Sequence, residues 1–231
     1  MVAVISGATR GLGKALALAF AKEGYSLALT SRNIADLQAL EAEINRNYSS
    51  DVLIFAADLA DKTQTLTFSK LVLAKFKNID VLINNVGKYD TDKITDDDVD
   101  FEGMMNANVN SAYFLSKEIA ARMCINEKGH IFNICSVLSR KPRVNAASYT
   151  ISKHALKGFN DVLREEMREY GVKVTAIYPG SINTSSWEGI FAPKEKFVQT
   201  DDIVNIIKAC LKTSKHANIE EVVIKPLDKN Y

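Results

Sequence analysis

"VAVISGATRGLGKALALAF", residues Val2–Phe20, decides the fold. It opens on a short apolar run of β type and crosses a glycine-rich turn. It then continues with apolar residues at helical spacing until Gly24 stops it. Gly7, Gly11 and Gly13 fall in a GxxxGxG spacing. A strand-to-helix turn of this kind points free backbone N–H groups above the helix start, where the helix dipole adds partial positive charge. Glycines also let a pyrophosphate approach the backbone and let the helix close on the strand. The alternative is a glycine-rich turn with no ligand. The position of the turn, opening the first β–helix–β unit, favours a dinucleotide.

Outward from this stretch the chain keeps alternating. YSLALT, VLIFAAD, NIDVLINN, GHIFNICS, VKVTAIYPG and IEEVVIKP read as strands. Between them IADLQALEAEINRNY, KTQTLTFSKLVLAKF, DFEGMMNANVNSAYFLSKEIAARM, a segment through Tyr149 to about Tyr170, and TDDIVNIIKACLKT read as helices, the last with Thr200 as its cap. Continuous apolar strands alternating with helices imply parallel strands covered on both faces. With right-handed crossovers the fold class is α/β, a doubly wound parallel sheet of the Rossmann type. No linker, composition shift or repeat divides residues 1–231, so one domain is expected.

The chain has 231 residues, a net charge of +1 and 47% hydrophobic residues. That is enough for a sizeable core and gives no electrostatic footprint for nucleic acid or an acidic membrane. Cys124, Cys135 and Cys210 are far apart and form no CxxC, so neither a disulfide framework nor a zinc site is expected, and no metal is assigned. Strand-like residues begin at Val2, which leaves no room for a signal peptide, and no apolar run reaches the ~20 residues of a membrane span. A cytoplasmic location with reduced thiols follows as the expectation. The sequon at Asn47 then has no meaning.

The second strand ends LALTSRN, with Thr30, Ser31, Arg32 and Asn33 and no carboxylate. A carboxylate there would bond ribose hydroxyls and repel a 2′-phosphate, whereas Arg32 can bind a phosphate through two charge-assisted bonds. Arg10, inside the glycine loop, offers a second cation. The expected cofactor is NADP(H).

ASYTISKHALKGF (Ala147–Phe159) places Tyr149 and Lys153 four apart, on one helix face. A free tyrosine titrates near pH 10, and a neighbouring ammonium would lower that value, so the pair can make a general acid. Ser136 lies thirteen residues before Tyr149, at the end of the fifth strand. Both should sit at the carboxyl edge of the sheet, where open α/β folds bind ligands.

Glycine loop, NNVG, Asn108, Ser136, Tyr149, Lys153 and YPGSINT occur in one order that resembles the short-chain dehydrogenase/reductase family over essentially the whole chain. The resemblance implies Tyr149 as general acid/base, Ser136 as hydrogen-bond partner of the substrate oxygen, and Lys153 on the nicotinamide ribose, lowering the tyrosine pKa. Asn108 would hold a water in a proton relay; Asn106 and Asn110 are near decoys. Cofactor contacts are implied at Gly7, Thr9, Arg10, Gly11, Leu12 and Gly13 of the loop, and at Ser31 and Arg32. They are implied also at Asp58 and Leu59 beside the adenine, at Asn85 and Gly87 of NNVG, and at Pro179, Gly180, Ile182 and Thr184 of YPGSINT. Val86 replaces the usual alanine of the family's Asn-Asn-Ala-Gly. His154, about 100° round the helix from Lys153 and with no second ligand nearby, is set aside as neither catalytic nor metal-binding, and Cys135 is read as core. The acidic run DKITDDDVD reads as capping and solvated.

The segment 185–199 is where such proteins place a short substrate lid, with Trp187, Phe191 and Phe197 either lining a pocket or packing on the body. The C-terminus lacks the pattern of acyl-carrier-protein reductases. It is more similar to the branch acting on small hydroxy acids, serine-like alcohols, dicarbonyls or pterin side chains. The resemblance thus implies an NADPH-dependent oxidoreductase acting on a small carbonyl or hydroxy compound, assembled as a homodimer or homotetramer through residues 97–123 and 148–170. The alternatives are a 3-oxoacyl-(acyl-carrier-protein) reductase-like enzyme and a non-catalytic NADP-binding scaffold or redox sensor. Lys141 and Arg143 could meet an anionic substrate, though surface charge is the simpler reading.

Overall fold

The computed structural model describes residues 1–187, 189 and 191–228. Seven strands form one parallel sheet: β1 (Val2–Ser6), β2 (Ser26–Ser31), β3 (Val52–Ala56), β4 (Val81–Asn84), β5 (Gly129–Ile134), β6 (Val172–Pro179) and β7 (Glu221–Ile224). Their order is β3-β2-β1-β4-β5-β6-β7, so the chain reverses direction across the sheet between β1 and β4. A crevice opens at such a point, outside the carboxyl ends of the strands.

Alternation along each strand feeds two cores. Ala3 and Ile5 face α1 (Gly11–Lys22), α2 (Ile34–Asn47) and α7 (Thr200–Leu211), packing with Leu16, Phe20, Leu37 and Ile203. Val4 points the other way, into Phe68 of α3 (Lys62–Lys75) and Leu115 and Ile119 of α5 (Ser111–Ile125). Burial on both faces explains why Val2–Ile5 of β1 are all apolar. Each such side chain contributes about 1.5–3 kcal/mol by leaving water.

Three differences from the sequence reading have local causes. The helix predicted over residues 100–123 is interrupted. After α4 (Phe101–Met105) comes a π-helical turn, Asn106–Asn110, before α5. There the Ser111 N–H bonds the Asn106 carbonyl, five residues back, and the Ser111 hydroxyl donates to the Ala107 carbonyl at 2.6 Å. Second, α7 is capped by Gln199, whose N–H is taken by Asp202 at 2.9 Å, so Thr200 is the first helical residue rather than the cap. Third, β5 ends at Ile134, and Ser136 caps a short 3₁₀ turn, Val137–Ser139, instead of closing the strand.

A buried chain of amides joins the sheet to the two helices that frame the crevice. Asn84 donates to Ser116 of α5 and to Asn133 of β5, both at 2.8 Å, and Asn133 donates to Asn160 of α6 (Ala147–Arg168) at 2.9 Å. These bonds tie β4 and β5 to α5 and α6, while Asn84 Oδ1 finds no partner among the described residues.

Candidate active site

The loop after β1 is shaped by its glycines and held from the neighbouring strand. Gly7 and Gly11 have φ of +64° and +51°, the left-handed region that glycine adopts without cost. A Cβ at Gly13 would overlap the Gly7 carbonyl oxygen and lie 2.7 Å from Asn85 Nδ2. Asn85 donates from Nδ2 to the Ser6 and Gly7 carbonyls at 3.0 and 3.2 Å, and its own N–H is accepted by Ser6 Oγ at 2.9 Å. Helices α2 and α3 are capped by the side chains of Asn33 and Asp61. No side chain caps α1 at Arg10, so its first N–H groups are left without a capping partner there.

Around this loop the implied cofactor residues divide. Arg10 and Arg32 are exposed and form no ion pair among the described residues. Ser31 donates to the Asn33 carbonyl at 3.3 Å, and Thr9 is half-buried. Asp58 is exposed and accepts from the Ala60 N–H at 3.0 Å. Leu12 and Leu59 put their side chains into the two cores, so only their backbone can reach a ligand. Pro179 is buried, and the Gly180 N–H pairs with the Ile224 carbonyl at 2.8 Å. Thr184 crosses to the glycine loop, where a Cβ on Gly11 would lie 3.1 Å from its Cβ.

On the other side of the crevice, Asn108, Ser136, Tyr149 and Lys153 come together. Ser136 accepts from the Leu138 N–H at 3.1 Å, and its side chain favours the ionised form of the Tyr149 phenol. Lys153, 4% exposed, donates to the Ile134 carbonyl at 3.0 Å, and its Nζ lies 5.7 Å from the Tyr149 ring centroid. Asn108 is wholly buried. Its Oδ1 accepts from the Lys88 N–H at 2.7 Å, while Nδ2 donates to the Lys88 carbonyl at 2.9 Å and to Ser152 Oγ at 2.8 Å. Gly87 leaves the room this needs, since a Cβ there would lie 3.3 Å from Asn108 Oδ1 and 3.5 Å from Lys153 Nζ. Asn106 and Asn110 hydrogen-bond each other at 2.6 Å.

The electrostatics run against one expectation. Tyr149 is not lowered. Burial pushes its phenol up, with the Ser136 hydrogen bond opposing and Cys135 adding to the rise. The same burial brings Lys153 down to about 8, because an ammonium without solvent is the costlier form. Cys135 packs with Leu156 and Tyr178, and burial pushes its thiol up to about 12. His154 is exposed, with Nδ1 2.9 Å from the Thr150 carbonyl.

The segment 185–199, expected to be a lid, is partly described; residues 188 and 190 lie outside the described residues. Its base is closed by the Ile182–Val198 bridge, with the Val198 N–H on the Ser181 carbonyl at 3.0 Å and the Asn183 N–H on the Val198 carbonyl at 2.9 Å. Phe197 is buried and packs against Trp187 with ring centroids 4.9 Å apart and the rings tilted by 51°, whereas Phe191 is fully exposed.

Two residues near Tyr149 escaped the sequence reading. Ser152 accepts from Asn108 and donates to the Tyr149 carbonyl at 2.8 Å, so it joins the π-turn to α6. Its position three residues after Tyr149, on the same helix face, was the available signal. Asp92 reaches the start of α6 from a distant loop, and no local pattern announces that contact.

Comparison with known proteins agrees with this architecture. An uncharacterized oxidoreductase of Staphylococcus epidermidis is 29% identical over 227 residues, covering 98% of this chain and 97% of that one. A metagenomic short-chain oxidoreductase solved in complex with NADP is 30% identical, superposes with a TM-score of 0.85, and covers 99% of this chain and 98% of its own. An alcohol dehydrogenase from the archaeon Thermococcus sibiricus, complexed with 5-hydroxy-NADP, is 26% identical with a TM-score of 0.89, over 98% of this chain and 96% of its own. The short chain dehydrogenase family model matches residues 1–195. With more than four-fifths of its length inside that match, this chain belongs to the short-chain dehydrogenase family and is an oxidoreductase.

Proposed function

We propose that the protein is an NADPH-dependent reductase of small carbonyl compounds, reversible as an alcohol dehydrogenase, with Tyr149 as the general acid. The observation that carries this reading is the meeting of Ser136, Tyr149 and Lys153 at the carboxyl ends of the central strands, beside an uncapped glycine-rich helix start. The residues fit the cofactor. Gly7 and Gly11 supply the left-handed turn, Gly13 lets α1 close on β1 so that backbone N–H groups can meet a pyrophosphate, and the end of β2 offers Arg32 instead of a carboxylate. The NADP-bound relatives support the same choice.

NADPH, when bound, supplies the hydride. The chain does the rest. Arg32 and Arg10 take the 2′-phosphate, while Thr184, Ile182 and the backbone around Gly87 border the nicotinamide end. Ser136 hydrogen-bonds the substrate oxygen and stabilises the charge that develops there. Tyr149, held protonated by its burial, donates its proton to that oxygen. Lys153 holds positive charge beside the phenolate left behind, and Asn108 fixes the backbone of Lys88 across the site. Segment 185–199 is the substrate lid. A cytoplasmic location accords with three unpaired cysteines, and homo-oligomerisation with the exposed Tyr113 of α5 and Ile151 and Val162 of α6; light scattering tests the latter.

The test is NADPH consumption, followed at its absorbance band, against a panel of ketones, dicarbonyls, 3-oxo esters and 3-oxoacyl thioesters. Turnover on the small carbonyls is expected. Tight NADPH binding with no turnover on any of them would leave only a binding scaffold. Arg32→Ala should cost about 10–100-fold in NADPH affinity, the range of a lost charged hydrogen bond, and leave NADH unchanged. Equal losses for both cofactors would remove Arg32 from phosphate recognition.

A pH dependence also follows. Lys153 loses its charge as pH rises through about 8, while Tyr149 keeps its proton past its ordinary range. kcat/KM for NADPH, which reports groups of the free enzyme, should therefore fall above about pH 8. Lys153→Met should abolish that inflection, and an inflection that survives belongs to another group.

A further inference from the structure

We propose that Asp92 is a positioning residue for Tyr149: from a loop remote in sequence it caps the helix that carries the tyrosine, while the neighbouring Tyr89 braces the phenol ring. The inference rests on the reading of Tyr149 as the acid.

Helix α6 runs for 22 residues, yet the residue at its N-cap position is Ala146, which has no side chain to offer. Its first intrahelical bond is Thr150 N–H to the Ala146 carbonyl at 2.9 Å, so the N–H groups of Ala147 and Ser148 need partners from elsewhere. Asp92 supplies both. Its backbone carbonyl accepts from the Ala147 N–H at 3.2 Å, and its carboxylate accepts from the Ser148 N–H at 3.1 and 3.2 Å. The side chain is 9% exposed, unlike its neighbours in the acidic run, most of which face solvent. A carboxylate at this end of a helix also meets the favourable end of the dipole.

The loop that delivers Asp92 is fastened on its other side. Both backbone groups of Lys88 are held by the Asn108 side chain, and Lys88 Nζ pairs with Asp100 at 2.6 Å. Between these anchors stands Tyr89, its ring edge-to-face against Tyr149 at 4.9 Å and 77° and still 51% exposed. Segment 88–92 thus grips Tyr149 twice, once through the turn of helix just before it and once through its ring. A helix end with satisfied N–H groups does not fray, and a phenol packed on one face keeps its oxygen beside Ser136.

Hydrogen exchange on the wild-type protein tests the cap without any variant. The Ala147 and Ser148 amides, in a first helical turn, should be protected, and rapid exchange at both would overturn the proposal. Asp92→Ala should lower kcat by between about tenfold and 100-fold, the cost of loosening a reacting group, with NADPH affinity within about twofold of wild type. Asp92→Asn keeps an oxygen acceptor in place and should retain most of the rate. Tyr89→Ala should lower kcat by a smaller factor. A wild-type kcat in Asp92→Ala, or equal losses in the alanine and asparagine variants, sinks the assignment. If Tyr149→Phe is inactive while Asp92→Ala is not, this inference alone fails; if Tyr149→Phe stays active, the reading beneath it fails.

Discussion

A Tyr149→Phe protein is expected to bind NADPH like the wild type and to turn over about 10²–10⁴-fold more slowly, the contribution of a positioned general acid. The substitution removes one oxygen and leaves the ring. Packing against Tyr89 and the place of Lys153 above the ring do not depend on the hydroxyl. Ser136 keeps its bond from the Leu138 N–H, and Lys153 keeps its bond to the Ile134 carbonyl. Stability should barely move. A lost hydrogen bond costs about 1 kcal/mol, and a hydroxyl that no longer needs burying offsets part of it. For a chain of this size that is a shift of about 2–4 °C in Tm at most. The raised phenol pKa adds a second signature, because the wild-type acid stays protonated across the neutral range and the phenylalanine variant has nothing to titrate. Stopped-flow NADPH oxidation, fluorescence titration of NADPH and a thermal melt give the three readings. Near-wild-type turnover would take Tyr149 out of the chemistry.

What could be read from the chain follows from how local each feature is. The alternation of apolar strands and helices is a property of short windows, and every strand lay within three residues of its predicted run. The Tyr149–Lys153 face follows from helical period alone. Features fixed by distant partners were not legible. The π-turn at Asn106–Asn110 has an ordinary helical pattern; what accompanies it is Asn108 bridging to Lys88 and Ser152, which only the fold brings near. The sign of the Tyr149 shift depends on burial, which outweighs every neighbouring group, and burial is a tertiary quantity. Phe197 and Phe191 look alike in sequence, yet one is buried against Trp187 and the other faces solvent. Asp92 belonged to an acidic run read as capping and solvated, yet it is buried, and the helix it caps begins more than fifty residues later.

Gly13→Ala should reduce NADPH affinity by at least tenfold, about 1.4 kcal/mol, and lower stability as well. Two effects oppose each other there. Alanine in a helix is favoured over glycine by about 1 kcal/mol, so propensity alone predicts a stabler protein. The new Cβ, however, would overlap the Gly7 carbonyl oxygen, and it would lie 2.8 Å from the Gly7 carbonyl carbon and 2.7 Å from Asn85 Nδ2. Two of these three atoms are backbone, and the third is tied to the Ser6 and Gly7 carbonyls, so no rotamer change relieves the contact. Overpacking of a well-filled site costs about 1–3 kcal/mol, and backbone against backbone belongs at the upper end. The steric effect therefore wins. The start of α1 must lift from β1, and the N–H groups of Gly11, Leu12 and Gly13 leave the positions that a pyrophosphate would meet. Gly158→Ala is the control. It lies inside α6 with open space around the added methyl, and should raise stability by about 0.5–1 kcal/mol without touching NADPH binding. Thermal melts and NADPH titrations of both variants decide the matter: a Gly13→Ala protein as stable and as tight-binding as Gly158→Ala would mean that the closeness of helix to strand at Gly13 plays no part in holding the cofactor.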